Sequence, residues 1–389
     1  MSYFDCDKFM VRRPLMPVRP DEVGSDHWLE DTMDDPFLLE QVGVSSPSMV
    51  HTIWKYQRAA NEMSTKKRRN LFQSLFKYSR RRRDRTTPFG LFVGVSLGQF
   101  SGEQGVFTTV SGEPFRVAAR VDEGWMMQVI RELEHRYRHV LRWMVNDSVF
   151  VRGGRVYQAY CVDQIETSRV HVRYTPVWDT LSEVARELIP YEMIVDGLER
   201  AHGHRESCIT YVDQLIEERF LVSELSQAFS SSDPLAFLSD QLDRRFEDDA
   251  RVALREVSEK IRRFEESFSA GENGIHRLSY YFDLRDTLSR IREESAGVRV
   301  DAFAGDDVRL PQEMQSQILR CADFMMLLAE VSDSGSVLQE YKERFVDRYG
   351  LVEEVRLVDL LDESEGIGIP LAYTPRPSLR PSDGIFACI

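Results

Sequence analysis

Between Lys66 and Arg85 the chain concentrates ten basic residues against a single acid, Asp84, and then passes abruptly through Thr86-Thr87-Pro88-Phe89-Gly90. From about Pro47 to Arg83 the periodicity is helical. Leu71, Phe72, Leu75 and Phe76 form an apolar face, and Lys77, Arg81 and Arg85 follow one another at four-residue steps. Pro88 biases Thr87 toward extended backbone, and Phe89 to Phe100, with Gly90, Gly94 and Gly98, reads as a strand. Any fold adopted by this chain must therefore accommodate a cationic helix that runs into a tight proline-glycine turn and a strand. The window carries +9 in a chain whose total is −14, which leaves −23 for the remainder. A non-specific nucleic-acid binder is basic overall. A basic island on an acidic body instead draws a polyanion to one place and repels it elsewhere, so an oriented anionic partner is expected.

At 389 residues, two or three packed units are expected. The start, DKFMVRRPLMPV, alternates apolar and polar residues between prolines and reads as a strand or extended arm that projects Arg12. Arg116 to Val121 is a second strand, after which Asp122 is placed to cap a helix with Trp125, Val129, Leu133 and Val140 on one face. Val149–Val151 and Val156–Cys161 flank Gly153-Gly154 as a hairpin, and Arg169–Tyr174 is a further candidate strand. Helical patterns around Val177–Leu188, Glu192–Ala201 and Ser207–Phe220 then lead into an apolar segment, Phe220–Val222. Together these give a winged helix-turn-helix outline. DNA reading is not expected of it, because Ile209–Phe220 sets three acids, Asp213, Glu217 and Glu218, against Arg219. From Asp233 onward long patterns dominate, Leu235–Phe268, Gly274–Glu294 and Pro311–Ser332, rich in Arg and Glu at helix-pair spacing. Val298–Phe303 is a short strand holding Asp301, and the end dissolves into glycine and proline. The expected class is α+β, with mixed sheets, long helices and the embedded winged-helix unit, divided at 1–145, 146–225 and 226–389.

No GxxxxGK[ST] loop, GxGxxG turn, GxSxG elbow or HExxH pair occurs, so nucleotide-hydrolysing, nicotinamide-dependent and zinc-hydrolase chemistries lose their usual support. Cys6, Cys161, Cys208, Cys321 and Cys388 are scattered and read as cytosolic thiols. His202 and His204 lack a third ligand nearby, so a solvated loop is expected there and no metal. The start has no basic stretch followed by a long apolar one, and no run of about 18 apolar residues occurs, so neither secretion nor membrane spanning is expected. What remains is Arg81 and Arg85 beside the TTPFG turn, a composition suited to gripping phosphates through forked, charge-assisted hydrogen bonds. Taken singly, Arg80, Arg82 and Arg83 also fit a solvated helix face, Asp122 a helix cap and Asp301 a turn acid.

FMVRRPL near the start, YSRRRRDRTTPFGLFVGVSLG, RVDEGW, VYQAY, and FVDRYGLVEEVRLVDLLDESEGIGIP near the end occur in the order seen in the N-terminal, glutamylation region of lantibiotic dehydratases. The chain resembles that family over nearly its whole length. The resemblance implies transfer of glutamate from glutamyl-tRNA to Ser or Thr hydroxyls of a ribosomally made precursor peptide, in lanthipeptide or thiopeptide biosynthesis, with elimination by a separate domain. It implies no cofactor beyond the co-substrate glutamyl-tRNA, and cytoplasmic action. By motif position the family's essential residues fall on Arg12, Arg81, Arg85, Thr87, Asp122 and Asp301. Lys66, Lys67, Arg68, Arg69, Lys77, Arg80, Arg82 and Arg83 then extend a track for the acceptor stem. The winged-helix unit would take the precursor's leader peptide as an added strand beside Val170, Val172 and Tyr174, with pockets from Tyr211, Val212 and Leu215. The chain ends soon after GIGIP, so a fragment, or a protein needing a partner chain for the rest of the glutamylation region and for elimination, is expected. Two other readings stay open: an aminoacyl-tRNA-dependent peptide ligase and a non-catalytic leader- or tRNA-binding module.

Overall fold

The computed structural model describes residues 6–17, 28–102, 105–108, 116–158, 170–245, 249–292, 297–332, 337–351, 354–362 and 366–370. In chain order, strand β1 (Lys8–Pro14) precedes helices α1 (Trp28–Asp34), α2 (Pro36–Ser45), α3 (Pro47–Ala59) and α4 (Thr65–Asp84). Strands β2 (Val93–Phe100), β3 (Val106–Thr108) and β4 (Arg116–Val121) lead to α5 (Glu123–Tyr137). Next come β5 (Arg142–Val145), β6 (Val149–Arg152), β7 (Arg155–Gln158), β8 (His171–Arg173), α6 (Pro176–Val184), β9 (Ile189–Pro190), α7 (Tyr191–His202), α8 (Arg205–Glu217) and β10 (Leu221–Ser223). The rest is α9 (Pro234–Arg245), α10 (Asp249–Ser269), α11 (Gly274–Ile291), β11 (Val298–Phe303), β12 (Asp307–Leu310), α12 (Gln312–Ser332), α13 (Val337–Tyr349) and α14 (Leu357–Leu360). The class is α+β with mixed sheets, as expected.

These elements form two compact units. The larger comprises Met10–Leu97 and Thr108–Asp307, and the smaller Met1–Phe9, Gly98–Phe107 and Val308–Ile389. Each is assembled from separated stretches, and the expected boundaries at 145/146 and 225/226 fall inside the larger. In the smaller unit β12 runs parallel to the last residues of β2, Arg309 opposite Gln99, and Phe9 packs on Phe100 at 4.7 Å between ring centroids.

In the larger unit β11 is the pivot. It runs parallel to β2, with Ala302 opposite Gly94, and antiparallel to β4, with Arg299 opposite Arg120 and Asp301 opposite Ala118. β1 also pairs with β2. Alternation decides the faces. Val117, Ala119, Val300 and Ala302 turn inward onto Leu38, Val42, Leu75, Phe92 and Phe264, while Arg116, Arg120, Arg299 and Asp301 turn outward. A second core gathers Trp125, Val129 and Leu133 of α5 with Leu181, Ile194, Val212 and Leu215 of α6 to α8. Small residues set the close approaches in the sheet. A Cβ placed on Gly94 would come within 2.5 Å of Ala304 Cβ and 3.0 Å of its Cα. Gly94→Ala is expected to cost about 1–3 kcal/mol through overpacking, read as a lowered urea midpoint at unchanged m-value.

Several boundaries differ from the periodicity. The helix expected from Pro47 to Arg83 is broken: α3 ends at Ala59, and a 3-10 turn over Ala60–Glu62 intervenes. The chain then restarts because Ser64 accepts the Lys67 N–H and caps a new N-terminus. The strand expected from Phe89 begins only at Val93, since Gly90 takes φ +52° and Gly90–Phe92 close a 3-10 turn. Val140 lies past the end of α5 and is 59% exposed, so it does not share the face of Trp125. The long Leu235–Phe268 pattern is two helices, α9 and α10. Cys161 and Arg169 lie outside the described residues.

Candidate functional site

The period of α4 sorts its cations. Leu71, Leu75, Ser79 and Arg82 form its buried stripe, spaced by four, four and three residues, so Arg82 turns inward although it lies in an unbroken run of arginines. Its Nη1 donates to Asp35 Oδ2 at 2.6 Å, while Asp35 Oδ1 accepts the Phe37 and Leu38 N–H groups and caps α2. The Met16 N–H donates to the Arg82 carbonyl. Arg82, expected on the tRNA track, is therefore a buried tie between α4 and α2. Arg80 is exposed and pairs with Asp84 at 3.1 Å, and Arg83 is half-buried. Lys66, Lys67, Arg69 and Lys77 are exposed and Arg68 is half-buried.

Arg81 and Arg85 remain. Arg85 is the C-cap, in extended geometry, its N–H donating to the Arg81 carbonyl, so it leaves the helical stripe and opens the turn. Arg81 lies over the Phe89 ring at 4.3 Å, and Phe89 in turn stacks on Phe92. Burial, then the charge of Arg85, pulls the Arg81 guanidinium below its ordinary range. The Arg81 Nε is buried without a hydrogen-bond partner, and neither guanidinium meets a carboxylate among the described residues. Thr87 is exposed beside them. The turn depends on Gly90, where a Cβ would stand 3.0 Å from Ser45 Oγ at a φ that disfavours side chains. Arg81 over an aromatic ring, with the like charge of Arg85 nearby and no acid meeting either among the described residues, has the composition of a candidate anion site.

The other candidates occupy the outward face of the sheet. On β1, Arg13 points inward, donating from Nη2 to Asp306 Oδ1 at 2.7 Å, and Asp306 also hydrogen-bonds Ser96 on the inner side of β2. Alternation puts the exposed Arg12 on the opposite, solvent face. Asp301 is on that face of β11, and Arg120 Nη2 donates to its Oδ2 at 2.7 Å. Asp122, at the end of β4, caps α5 through the Gly124 N–H at 2.8 Å, with its Oδ2 3.7 Å from Arg299 Nε. The structure thus makes two groups: Arg81, Arg85 and Thr87 at the helix-turn junction, and Arg12, Asp122 and Asp301 with the sheet. No hydrogen bond or ion pair joins the groups among the described residues. Sequence reasoning missed Arg116, Arg120 and Arg299. Their signal was present in RVAARV and VRVDAF, where every charged residue falls on the same face of a two-residue period, as in a one-sided strand.

The expected peptide-binding residues divide in the same way. Among the described residues β8 lies at the edge of its sheet, paired antiparallel to β7 with Val172 opposite Val156, and the Val170 carbonyl extends the pairing by accepting the Gln158 N–H. Val170 and Val172 pack partly on the core, and the exposed Tyr174 donates from its hydroxyl to Asp179. Val212 and Leu215 do not face solvent. They are 0% and 1% exposed because they lie on the core stripe of α8. Tyr211, beside that stripe, is half-buried, and burial pushes its hydroxyl up to about 12, with no hydrogen-bond partner for the oxygen. Among the described residues no group of three His, Cys, Asp or Glu side chains is placed to hold a metal ion. No helix there is long and apolar enough to cross a membrane.

The sequence profile "Lantibiotic dehydratase, N terminus" matches residues 34–384. The chain is 32% identical to subtilin biosynthesis protein SpaB of Bacillus subtilis over 380 residues, covering 96% of this chain and 36% of that protein. It is 26% identical to nisin biosynthesis protein NisB of Lactococcus lactis subsp. lactis over 389 residues, covering 98% and 38%. The structure resembles that of the tRNA dependent lantibiotic dehydratase MibB from Microbispora sp. 107891, with TM-score 0.75 and 25% identity over 98% of this chain and 36% of that one. The fold is also that of the glutamylation domain TbtB from thiomuracin biosynthesis, with TM-score 0.59 and 17% identity over 83% of this chain and 39% of that one. The chain thus spans little more than a third of the length of these relatives. It belongs to the lantibiotic dehydratase family, matching the N-terminal part of that family.

Proposed function

We propose that this chain supplies the N-terminal part of an enzyme that transfers glutamate from glutamyl-tRNA to Ser or Thr hydroxyls of a precursor peptide. The observation that carries the reading is the pair Arg81 and Arg85, held at the end of a basic helix without acidic partners. The aminoacyl ester is already activated, so the transfer requires no resident cofactor and no nucleotide hydrolysis. The peptide hydroxyl oxygen attacks the ester carbonyl, and the carbonyl oxygen carries the negative charge of the tetrahedral intermediate. Collapse expels the ribose oxygen of the tRNA, which takes up the proton that the peptide hydroxyl loses. Arg81 and Arg85 bind the terminal phosphates or that oxyanion, and Arg12 closes the site. Asp122 and Asp301 hold arginines or the ammonium of the glutamyl group.

The exposed cations Lys66, Lys67, Arg69 and Lys77 extend the contact along the acceptor stem. Replacing any one of them with alanine is expected to lower the slope of log affinity against log salt by about one, with no change in the preferred amino acid, measured by tRNA titration at several salt concentrations. The leader peptide adds to β8, which ends its sheet among the described residues, and α6, α7, α8 and β10 act as a winged helix that contributes the half-buried Tyr211.

The deciding experiment incubates the chain with glutamyl-tRNA and the precursor peptide encoded beside it, with and without the protein encoded next door, and follows peptide mass. A glutamate adduct is the expected result. Salt-dependent tRNA binding without any adduct would make the chain a binding module. An amide-linked extension of the peptide's C-terminus would make it a ligase. Absence of tRNA binding would end the reading.

A further inference from the structure

Arg152 stands opposite Arg155, and Arg155 opposite Arg173, so three arginines lie in one row across the sheet β6-β7-β8. Two residues away along each strand, Phe150 stands opposite Tyr157 and Tyr157 opposite His171. Alternation puts both rows on one face, because the other face carries Val149, Val156, Val170 and Val172 against the core. The rings form a continuous series. Phe150 and Tyr157 are stacked at 5.4 Å between centroids, and Tyr157 and His171 are tilted at the same distance. Arg155 Nη1 donates to His171 Nε2 and ties the two rows together. Arg155, His171 and Arg173 are exposed, and Phe150, Arg152 and Tyr157 are half-buried.

Cross-strand ring pairs stabilise a sheet, so the aromatic row needs no further cause. The arginine row does, because like charges directly opposite one another destabilise it. Among the described residues neither Arg155 nor Arg173 meets a carboxylate. The occupant of this face is therefore anionic, and it runs across the strands. A peptide added beside β8 runs along them and passes Arg173 alone, with Arg155 and Arg152 about 5 and 10 Å further in. A polymer with an anion at each repeat and a flat ring beside it meets both rows at once, since they lie about 7 Å apart. Unpaired nucleic acid has that form.

We propose that the outer face of β6, β7 and β8 binds an unpaired stretch of RNA, with phosphates on Arg152, Arg155 and Arg173 and bases against the ring series that ends at His171. The contact is made by the small sheet, so the acids of α8 do not oppose it, and the edge of β8 stays open to a peptide strand. This goes beyond the glutamyl-transfer reading and rests on it only in taking the RNA to be tRNA.

The test titrates the chain with a fluorescent, unstructured RNA octamer containing one 4-thiouridine, follows anisotropy at several salt concentrations, and maps the photocrosslinks by mass spectrometry. Crosslinks on Tyr157 or His171 are expected. R155Q/R173Q is expected to bind about tenfold or more weakly, with the slope of log affinity against log salt lowered by about 1.4, the value of two single-strand phosphate contacts. It is expected to melt no lower than wild type, because a cross-strand repulsion is relieved. Y157L, which keeps an apolar side chain in the sheet, is expected to lose about tenfold in affinity at unchanged slope. An octaglutamate peptide, charged but without rings, is expected to compete about tenfold less well than unlabelled octamer. Unchanged affinity or a lowered melting point in R155Q/R173Q, or equal competition by octaglutamate, overturns the assignment. Crosslinks confined to α4 overturn it and leave the glutamyl-transfer reading standing. Crosslinks on the sheet face without any glutamate adduct leave this assignment standing and end that reading.

Discussion

Replacing Arg81 and Arg85 by alanine is expected to abolish glutamyl transfer while leaving the fold in place. Each removes a fixed donor from a site where negative charge develops, and the loss of one such donor lowers turnover by about 10²–10³-fold. The two act on one anion and already feel each other's charge, so the double variant is expected to fall below detection rather than to show the product of two independent losses. Stability is affected little: Arg81 forfeits an exposed-side cation–π contact over Phe89, about 0.5–1 kcal/mol, and Arg85 has no acid partner to leave unpaired. Lysine at either position keeps the charge and loses the forked geometry, so Arg81→Lys is expected to retain tRNA affinity better than turnover. Single-turnover formation of the glutamyl peptide, run beside tRNA titration and a urea melt, separates the three effects. Unchanged adduct formation in the double variant would remove this pair from the mechanism.

The second large effect is on stability and arises far from any anion. Arg277 on α11 and Glu40 on α2 are both fully buried and joined by two hydrogen bonds, 2.8 Å from Nε and 2.7 Å from Nη2. The guanidinium also donates to the Glu272 carbonyl and lies over Phe268 at 4.5 Å. Glu40→Ala leaves a buried cation without its counter-charge and is expected to destabilise the larger unit by about 3–5 kcal/mol, a large fraction of the roughly 5–15 kcal/mol that a folded unit possesses. Glu40→Leu combined with Arg277→Met removes both charges and is expected to regain most of that loss. Urea denaturation checks both, and equal destabilisation by the single and double replacements would refute the account. Function is expected to follow stability here, because Asp35, the N-cap of α2, also holds Arg82 and thereby the orientation of α4.

Local rules made much of this protein readable. Alternation in VRVDAF located β11 to the residue, Asp122 was recognisable as a cap, and the run from Lys66 to Arg85 marked the basic end of α4. These are properties of a few consecutive residues, and backbone geometry acts on them wherever the segment finds itself. Arg82 could have been withdrawn from the tRNA track on the same grounds, since it lies eleven residues, three helical turns, beyond the buried Leu71.

Other features needed the chain folded. The Arg82–Asp35 tie spans 47 positions, and Arg120–Asp301 spans 181. Nothing within either segment names its partner, because the pairing depends on β11 inserting between β2 and β4 and on the N-cap of α2 meeting α4. Val212 and Leu215 likewise looked available on an amphipathic helix, and only the packing of α6 to α8 showed which side of it was spent on the core. The basic run itself was plain in the sequence. That it yields two acid-free guanidiniums at the turn, one cation tied to a helix cap and one paired along its own helix was decided by tertiary packing. A charge is free to bind a ligand only when no neighbour brought in from elsewhere in the chain has already neutralised it.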